Sequence, residues 1–199
     1  MIQPRTVLGF DSETTGLPVW GKPSGGDDQP HLVEIAGKLV DAETKEVLGQ
    51  VNLIIKPNGW VIPDDVIKVH GITNEIAHEQ GHDEKQALLD FLDLWKQADL
   101  RVAHNQSFDD RIIRIAIKRY LNEEIADEWK NGAKACTGLL AKPIMQMPPK
   151  SRWGYKMPKL SEAYKHFMGK ELEGAHRAMT DVDACLAVYF AITDQQEAA

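Results

Sequence analysis

Asp11 and Glu13 stand two residues apart at the end of the apolar run Thr6-Val7-Leu8-Gly9-Phe10, and alternate residues of a strand share one face. Two carboxylates on one face repel and resist joint ionisation unless a cation lies between them. The pair therefore reads as an oxygen-ligand site for Mg²⁺ or Mn²⁺. The plainer alternative is an acidic strand end, since Thr14-Thr15-Gly16 is also ordinary turn chemistry. In Ala103-His104-Asn105-Gln106-Ser107-Phe108-Asp109-Asp110-Arg111, Ser107 or Asn105 is placed to cap a helix whose first turn holds two acids, which the helix dipole favours by itself. Asp109 shares a helix face with Ile112, Ile113 and Ala116, whereas Asp110 stacks toward Arg114 as an i+4 ion pair on the solvent side. In His176-Arg177-Ala178-Met179-Thr180-Asp181-Val182-Asp183, Thr180 and Asp183 have capping-box spacing, which leaves Asp181 without a structural job. His176, five residues before Asp181, could lie over the same spot and act as a general base near neutral pH. A lone loop histidine more often has no such role, so His176 depends on its companions. His31, His78, His82 and His166 read as surface or local-packing residues.

The elements that must position these groups follow from periodicity. Residues 6–10, 32–40 and 47–55 read as strands, the last two joined by the turn Asp41-Ala42-Glu43-Thr44. Residues 18–30 have no period and several Gly and Pro, so a mobile loop (18–31) is expected beside the acids. Residues 84–96 and 108–121 have helical spacing, with a short strand at 100–103 between them and a last helix over about 181–192. Strands followed by alternating helices and strands make an α/β domain with a mixed sheet. One domain spans 1–194, and 195–199 is a short polar tail.

Composition excludes several classes. A chain of 199 residues with 43% hydrophobic content suits one packed domain. No apolar run approaches the roughly eighteen residues of a membrane span, and the first residues lack a signal-peptide pattern, so a cytoplasmic protein with no membrane partner is expected. Two cysteines, Cys136 and Cys185, are too few for a disulfide framework and are not spaced for zinc. The net charge of −7 argues against sequence-indifferent gripping of duplex DNA. Residues 134–170 nevertheless carry Lys134, Lys142, Lys150, Arg152, Lys156, Lys159, Lys165 and Lys170 against the single acid Glu162. That segment is either a local phosphate contact or a solvated face.

The series Asp11-x-Glu13, His104-Asn105-x-x-Phe108-Asp109 and His176-x-x-x-x-Asp181 resembles the DEDDh subgroup of the DnaQ-like 3′-to-5′ exonuclease superfamily. Similarity extends through Leu32-Val33-Glu34-Ile35-Ala36, Val69-His70-Gly71-Ile72-Thr73, Cys136-Thr137 and Leu160-Ser161-Glu162-Ala163, and so covers most of the chain. The resemblance implies a ribonuclease H-like α/β fold with a central five-stranded mixed sheet flanked by helices. It implies two Mg²⁺ ions, roughly 3.5–4 Å apart, with Mn²⁺ able to substitute. Asp11 would bridge both ions, Glu13 and Asp181 would hold the nucleophile-side ion, Asp109 would help hold the other, and His176 would take the proton from the attacking water. Thr14, Gly16 and Leu17 would border the terminal nucleotide, with His104 and Asn105 near the scissile bond. Trp20, Trp153 and Tyr155 are candidates to stack unpaired bases, and Arg152 and Lys156 to meet phosphates. The activity implied is release of nucleoside 5′-monophosphates from single-stranded 3′ ends, DNA before RNA, freestanding or as the proofreading partner of a DNA polymerase. A homodimer is compatible with some relatives. Alternatives are an RNA-trimming enzyme of the same superfamily, a related endonuclease, and a non-catalytic protein that binds strand ends or a polymerase. The last is disfavoured because a pure binder gains nothing from crowding uncompensated carboxylates.

Overall fold

The apolar alternation of the first strand builds the centre of a five-stranded sheet with helices on both faces. In the computed structural model, residues 4–152 and 154–197 are described. In chain order the elements are β1 (Thr6–Thr14), β2 (Leu32–Asp41), β3 (Val47–Ile54), α1 (Asp64–His70), α2 (Asn74–Gln80), α3 (Glu84–Trp95), β4 (Leu100–Ala103), α4 (Ser107–Tyr120), α5 (Glu123–Asn131), β5 (Lys134–Cys136), α6 (Thr137–Met145), α7 (Leu160–Met168) and α8 (Ala178–Glu197). The sheet order is β3-β2-β1-β4-β5. Strands β1, β2 and β3 pair antiparallel, and β4 and β5 run parallel to β1. The mixed α/β architecture expected from the sequence is what forms.

Residue parity along β1 assigns the two layers. Leu8 and Phe10 face one way and pack with Ile35 and Leu39 against Ala87, Leu88 and Phe91 of α3, Ile112, Ile113 and Ala116 of α4, and Trp129 of α5. Val7 faces the other way, with Ala36, Val40 and Val102, against Val182, Cys185, Leu186 and Tyr189 of α8. Gly9 lies on that second face. A Cβ there would fall 2.5 Å from Leu186 Cγ, so the missing side chain is what lets α8 lie close against β1. Asp11 and Glu13 share Gly9's parity and therefore look toward the start of α8.

Several boundaries differ from the sequence reading. β1 continues through the acids to Thr14, paired with β2 across Asp11, Ser12 and Glu13. α8 starts three residues earlier than expected. The short elements α1, α2, α5, β5, α6 and α7, of three to nine residues, show too few turns or alternations to reveal a period. The turn at Asp41 forms as expected, its carboxylate accepting from the Glu43 and Thr44 N–H groups at 2.9 and 2.8 Å. Residues 18–31 form neither helix nor strand, yet they are tied down. The buried Gln29 side chain bonds the Val19 N–H and C=O and the Pro23 C=O at 3.0–3.1 Å. Arg119 bonds the Gln29 and Pro30 carbonyls at 2.9 and 3.1 Å, and Arg114 reaches the buried Ser24 at 3.3 Å.

Candidate active site

The four acids converge where β1, α4 and α8 meet, and strand parity explains how. Ser12, between Asp11 and Glu13, faces α4, and it captures Asp109. The Ser12 N–H donates to Asp109 Oδ1 at 3.1 Å and the Ser12 hydroxyl to the same oxygen at 2.7 Å. Asp109 is buried on the core side of α4, as its spacing predicts. From the opposite layer, α8 brings Asp181. Its Oδ2 accepts from the His176 N–H at 3.1 Å, while its Oδ1 is buried without a partner among the described residues. Ligand atoms of Glu13, His176 and Asp181 all lie within 4.8 Å of one another.

Electrostatics shows what this crowding does. Burial, then Asp109, Asp181 and Glu13, push the Asp11 carboxyl well above the usual range. Burial, with Asp181 and Glu34, raises Glu13 to about 8, and burial raises Asp109 to about 7. Asp181 is raised chiefly by burial. Four carboxyls this crowded ionise together only with a cation between them. The orphaned Asp181 oxygen and a donor set of carboxylate oxygens beside one imidazole fit a hard divalent ion such as Mg²⁺ or Mn²⁺.

His176 lies outside α8, at φ 68° in the left-handed region. Its neighbour Arg177 grips Glu34 of β2 through Nε and Nη2 at 3.2 and 2.8 Å, and Glu34 also accepts from the Ala178 N–H at 2.9 Å. Glu34 is 1% exposed and sits opposite Glu13 in the β1–β2 register. The sequence reading assigned no role to Glu34, Arg177 or Ser12. The available signal was one carboxylate inside the apolar run Leu32-Val33-Glu34-Ile35-Ala36.

Other expected residues divide. His104 spends both ring nitrogens structurally, Nδ1 on the Thr137 hydroxyl and Nε2 on the Pro158 carbonyl, each at 2.9 Å. It thereby fastens the end of β4 to α6, and burial lowers its pKa. Asn105 is exposed at φ 58°, and neither it nor Ser107 caps α4, whose N-cap is Gln106 with no side-chain bond. Asp110 does not pair with Arg114. It takes the buried Arg101 of β4 at 2.9 and 3.1 Å and Lys134 at 2.7 Å, while Arg114 turns to Glu123 and Asp127 of α5. A guanidinium buried in the sheet must be compensated, and that demand outweighs a solvent-side pair. Asp183 is not a capping-box partner either, because α8 already starts at Ala178; it pairs with Lys38.

Around the acids, the Thr14 hydroxyl is buried and donates to the Gly16 carbonyl at 2.8 Å. Leu17 and Trp20 are 79% and 59% exposed, and the Arg111 guanidinium lies 5.9 Å from the Trp20 ring centroid. Lys156 pairs with Glu162 at 2.8 Å, and Arg152 is exposed on the surface. Tyr155 is half-buried with Lys150 Nζ 5.0 Å from its ring centroid. Trp153 lies outside the described residues.

The profile of the exonuclease family, RNase T type, matches residues 8–189. The chain belongs to that exonuclease family. The DnaQ-like DEDDh resemblance is thereby borne out. Relatives include the DNA polymerase III subunit epsilon of Haemophilus influenzae, 33% identical over 55% of this chain and 40% of that protein, and exodeoxyribonuclease I of the same organism, 25% identical over 98% of this chain and 42% of that protein. Among solved structures, Escherichia coli exonuclease I in complex with a dT13 oligonucleotide superposes with a TM-score of 0.73 at 19% identity, over 96% of this chain and 42% of that one. Exonuclease I from Methylocaldum szegediense gives 0.72 at 22% identity, over 96% of this chain and 41% of that one. These structural likenesses carry the fold. The chain spans less than half the length of the relatives it matches. No helix among the described residues is long and apolar enough to cross a membrane.

Proposed function

We propose that this exonuclease-family chain hydrolyses the 3′-terminal phosphodiester of single-stranded DNA and releases nucleoside 5′-monophosphates one at a time. The observation that carries the reading is the convergence of Asp11, Glu13, Asp109 and Asp181 with His176 at the end of β1, with one buried carboxylate oxygen left unpartnered. Asp11, Glu13, Asp109 and Asp181 hold Mg²⁺, for which Mn²⁺ substitutes. When bound, the metal supplies charge compensation at the attacking and departing oxygens. His176 accepts the proton of the attacking water; the water oxygen bonds to phosphorus as the P–O3′ bond breaks, and the departing 3′-oxygen takes a proton from solvent to become the 3′-hydroxyl of the shortened strand. Ser12 keeps the Asp109 carboxylate aimed by two hydrogen bonds to one oxygen. Leu17 and Trp20 offer exposed apolar surface in the segment that follows Glu13, suited to unpaired bases rather than to a closed duplex. The oligonucleotide on exonuclease I and the polymerase context of the epsilon relatives support DNA as substrate and a polymerase as partner. A cytoplasmic location agrees with two free thiols.

The test is a time course on single-stranded DNA and RNA of one sequence, labelled at either end, with Mg²⁺ or EDTA. Metal-dependent, stepwise shortening from the 3′ end, faster on DNA, is expected. Faster shortening of RNA would move the substrate to the ribo-polymer, and no cleavage of either would overturn the enzyme reading.

A further inference from the structure

We propose that Glu34 and Arg177 are positioning residues for His176 and Asp181: a bracket with a buried anchor, Glu34, that holds the chain entering α8 in the conformation that puts both over Asp11 and Glu13. This rests on the function proposed above.

Three consecutive residues are held by acids. His176 gives its N–H to Asp181, Arg177 gives Nε and Nη2 to Glu34, and Ala178 gives its N–H to the same Glu34 carboxylate. The backbone needs this. His176 has φ 68° and Gly174 before it has φ 68°, so two left-handed residues bracket the approach, and only one is a glycine. A non-glycine residue persists there when its surroundings over-determine it. Glu34 is the fixed end of the bracket, because β2 holds it directly opposite Glu13 on the face toward α8. Anchor and proposed metal ligand thus face each other on neighbouring strands of one sheet, so the bracket is referenced to Glu13.

Glu34 is also excluded from the ligand set by these bonds. Its oxygens face the guanidinium and an amide, while Asp181 Oδ1 has no partner among the described residues. Behind the bracket lies His70, 4% exposed, whose Nδ1 accepts from the Ile72 N–H at 3.1 Å. Burial lowers the pKa of that ring, and the cation hydrogen-bonded to Glu34 is Arg177. The Arg177 side chain is itself 48% exposed, so its contact with Glu34 is a directed, two-pronged pairing at the rim of the site.

The experiment compares the parent chain with Arg177→Ala, Arg177→Lys and Glu34→Gln in two measurements. The first is Mg²⁺-dependent turnover on single-stranded DNA. The second is amide hydrogen exchange without metal or substrate. Arg177→Ala is expected to lower kcat about tenfold or more with KM within about twofold, the scale on which small misplacements act. Exchange should quicken in residues 174–182 and stay unchanged in α3. Arg177→Lys should recover part of kcat by restoring one prong, and Glu34→Gln, which keeps the shape and the Ala178 bond, should lose less than Arg177→Ala. A rise in KM at constant kcat would overturn the bracket in favour of a phosphate contact by Arg177, and unchanged exchange in 174–182 would overturn it outright. A parent chain inactive on every polymer would sink the nuclease reading alone, because exchange still decides whether the bracket holds the segment.

Discussion

Two buried acidic centres of this molecule lie at opposite extremes of satisfaction. Glu84, at the start of α3, is 4% exposed and fully partnered: it accepts from His31 at 2.8 Å, the Leu32 N–H at 3.1 Å, Arg119 at 3.4 Å and the Tyr120 hydroxyl at 2.7 Å. The arrangement pins the end of the 18–31 loop to α3 and α4, and burial beside Glu84 pushes the Tyr120 hydroxyl up. The acids at the end of β1 instead face one another. Their carboxyls are raised, and Asp181 keeps an oxygen with no partner among the described residues. A buried charge that the fold has paired is architecture, whereas an unresolved cluster of like charges is a site awaiting a ligand.

Substitutions that remove each kind of acid sharpen that difference. Glu84→Ala takes the acceptor from the Leu32 N–H, the Tyr120 hydroxyl and the His31 ring, and breaking such a buried arrangement costs about 3–5 kcal/mol. Urea denaturation should show that loss, while turnover per folded molecule stays near the parental value; a stable variant would mean that Glu84 is not the anchor its contacts describe. Asp181→Asn should do the reverse. Turnover should fall by about 10²–10³-fold, the scale of removing one preorganised charged group, with no loss of stability in metal-free buffer; retained turnover would dissolve the contrast. The smallest effect concerns pH. Glu13 is held at about 8 in the folded chain against an ordinary 4.5, so between these values the folded state keeps a proton that the unfolded state has released. The stability contributed is complete at low pH and lost as pH rises through that window. Gln does not titrate, so metal-free Glu13→Gln should gain on the parent between pH 5 and pH 8, by at least about 2–4 °C in melting temperature. Saturating Mg²⁺ should cancel the gain, and a constant difference across pH would mean that Glu13 is ionised without metal.

The residues proposed to carry the chemistry were largely legible. Asp11 and Glu13 could be paired because strand parity is a local rule, and Asp109 could be told from Asp110 because helix spacing marks the face toward Ile112 and Ala116. What failed were assignments of partners. Asp110 lies four residues from Arg114, yet the buried Arg101, nine residues back and on strand β4, takes it. Asp183 had a local cap to hand and found Lys38 across the sheet. The ring partners of His104, Thr137 and Pro158, had no local signal at all, and they leave its expected place near the scissile bond a separate question.

The sequence by itself determined the alternating layers of β1, the acids on their faces and the family pattern, because these depend on spacing along one element. Only the tertiary structure decided which charges are neutralised and which are left to a ligand. Gly9 admits α8 against β1, Ser12 claims Asp109, and Glu34 holds Arg177. Each of those outcomes depends on distances between elements far apart in the chain, where burial makes an unpaired charge costly and so selects the partner that packing brings within reach.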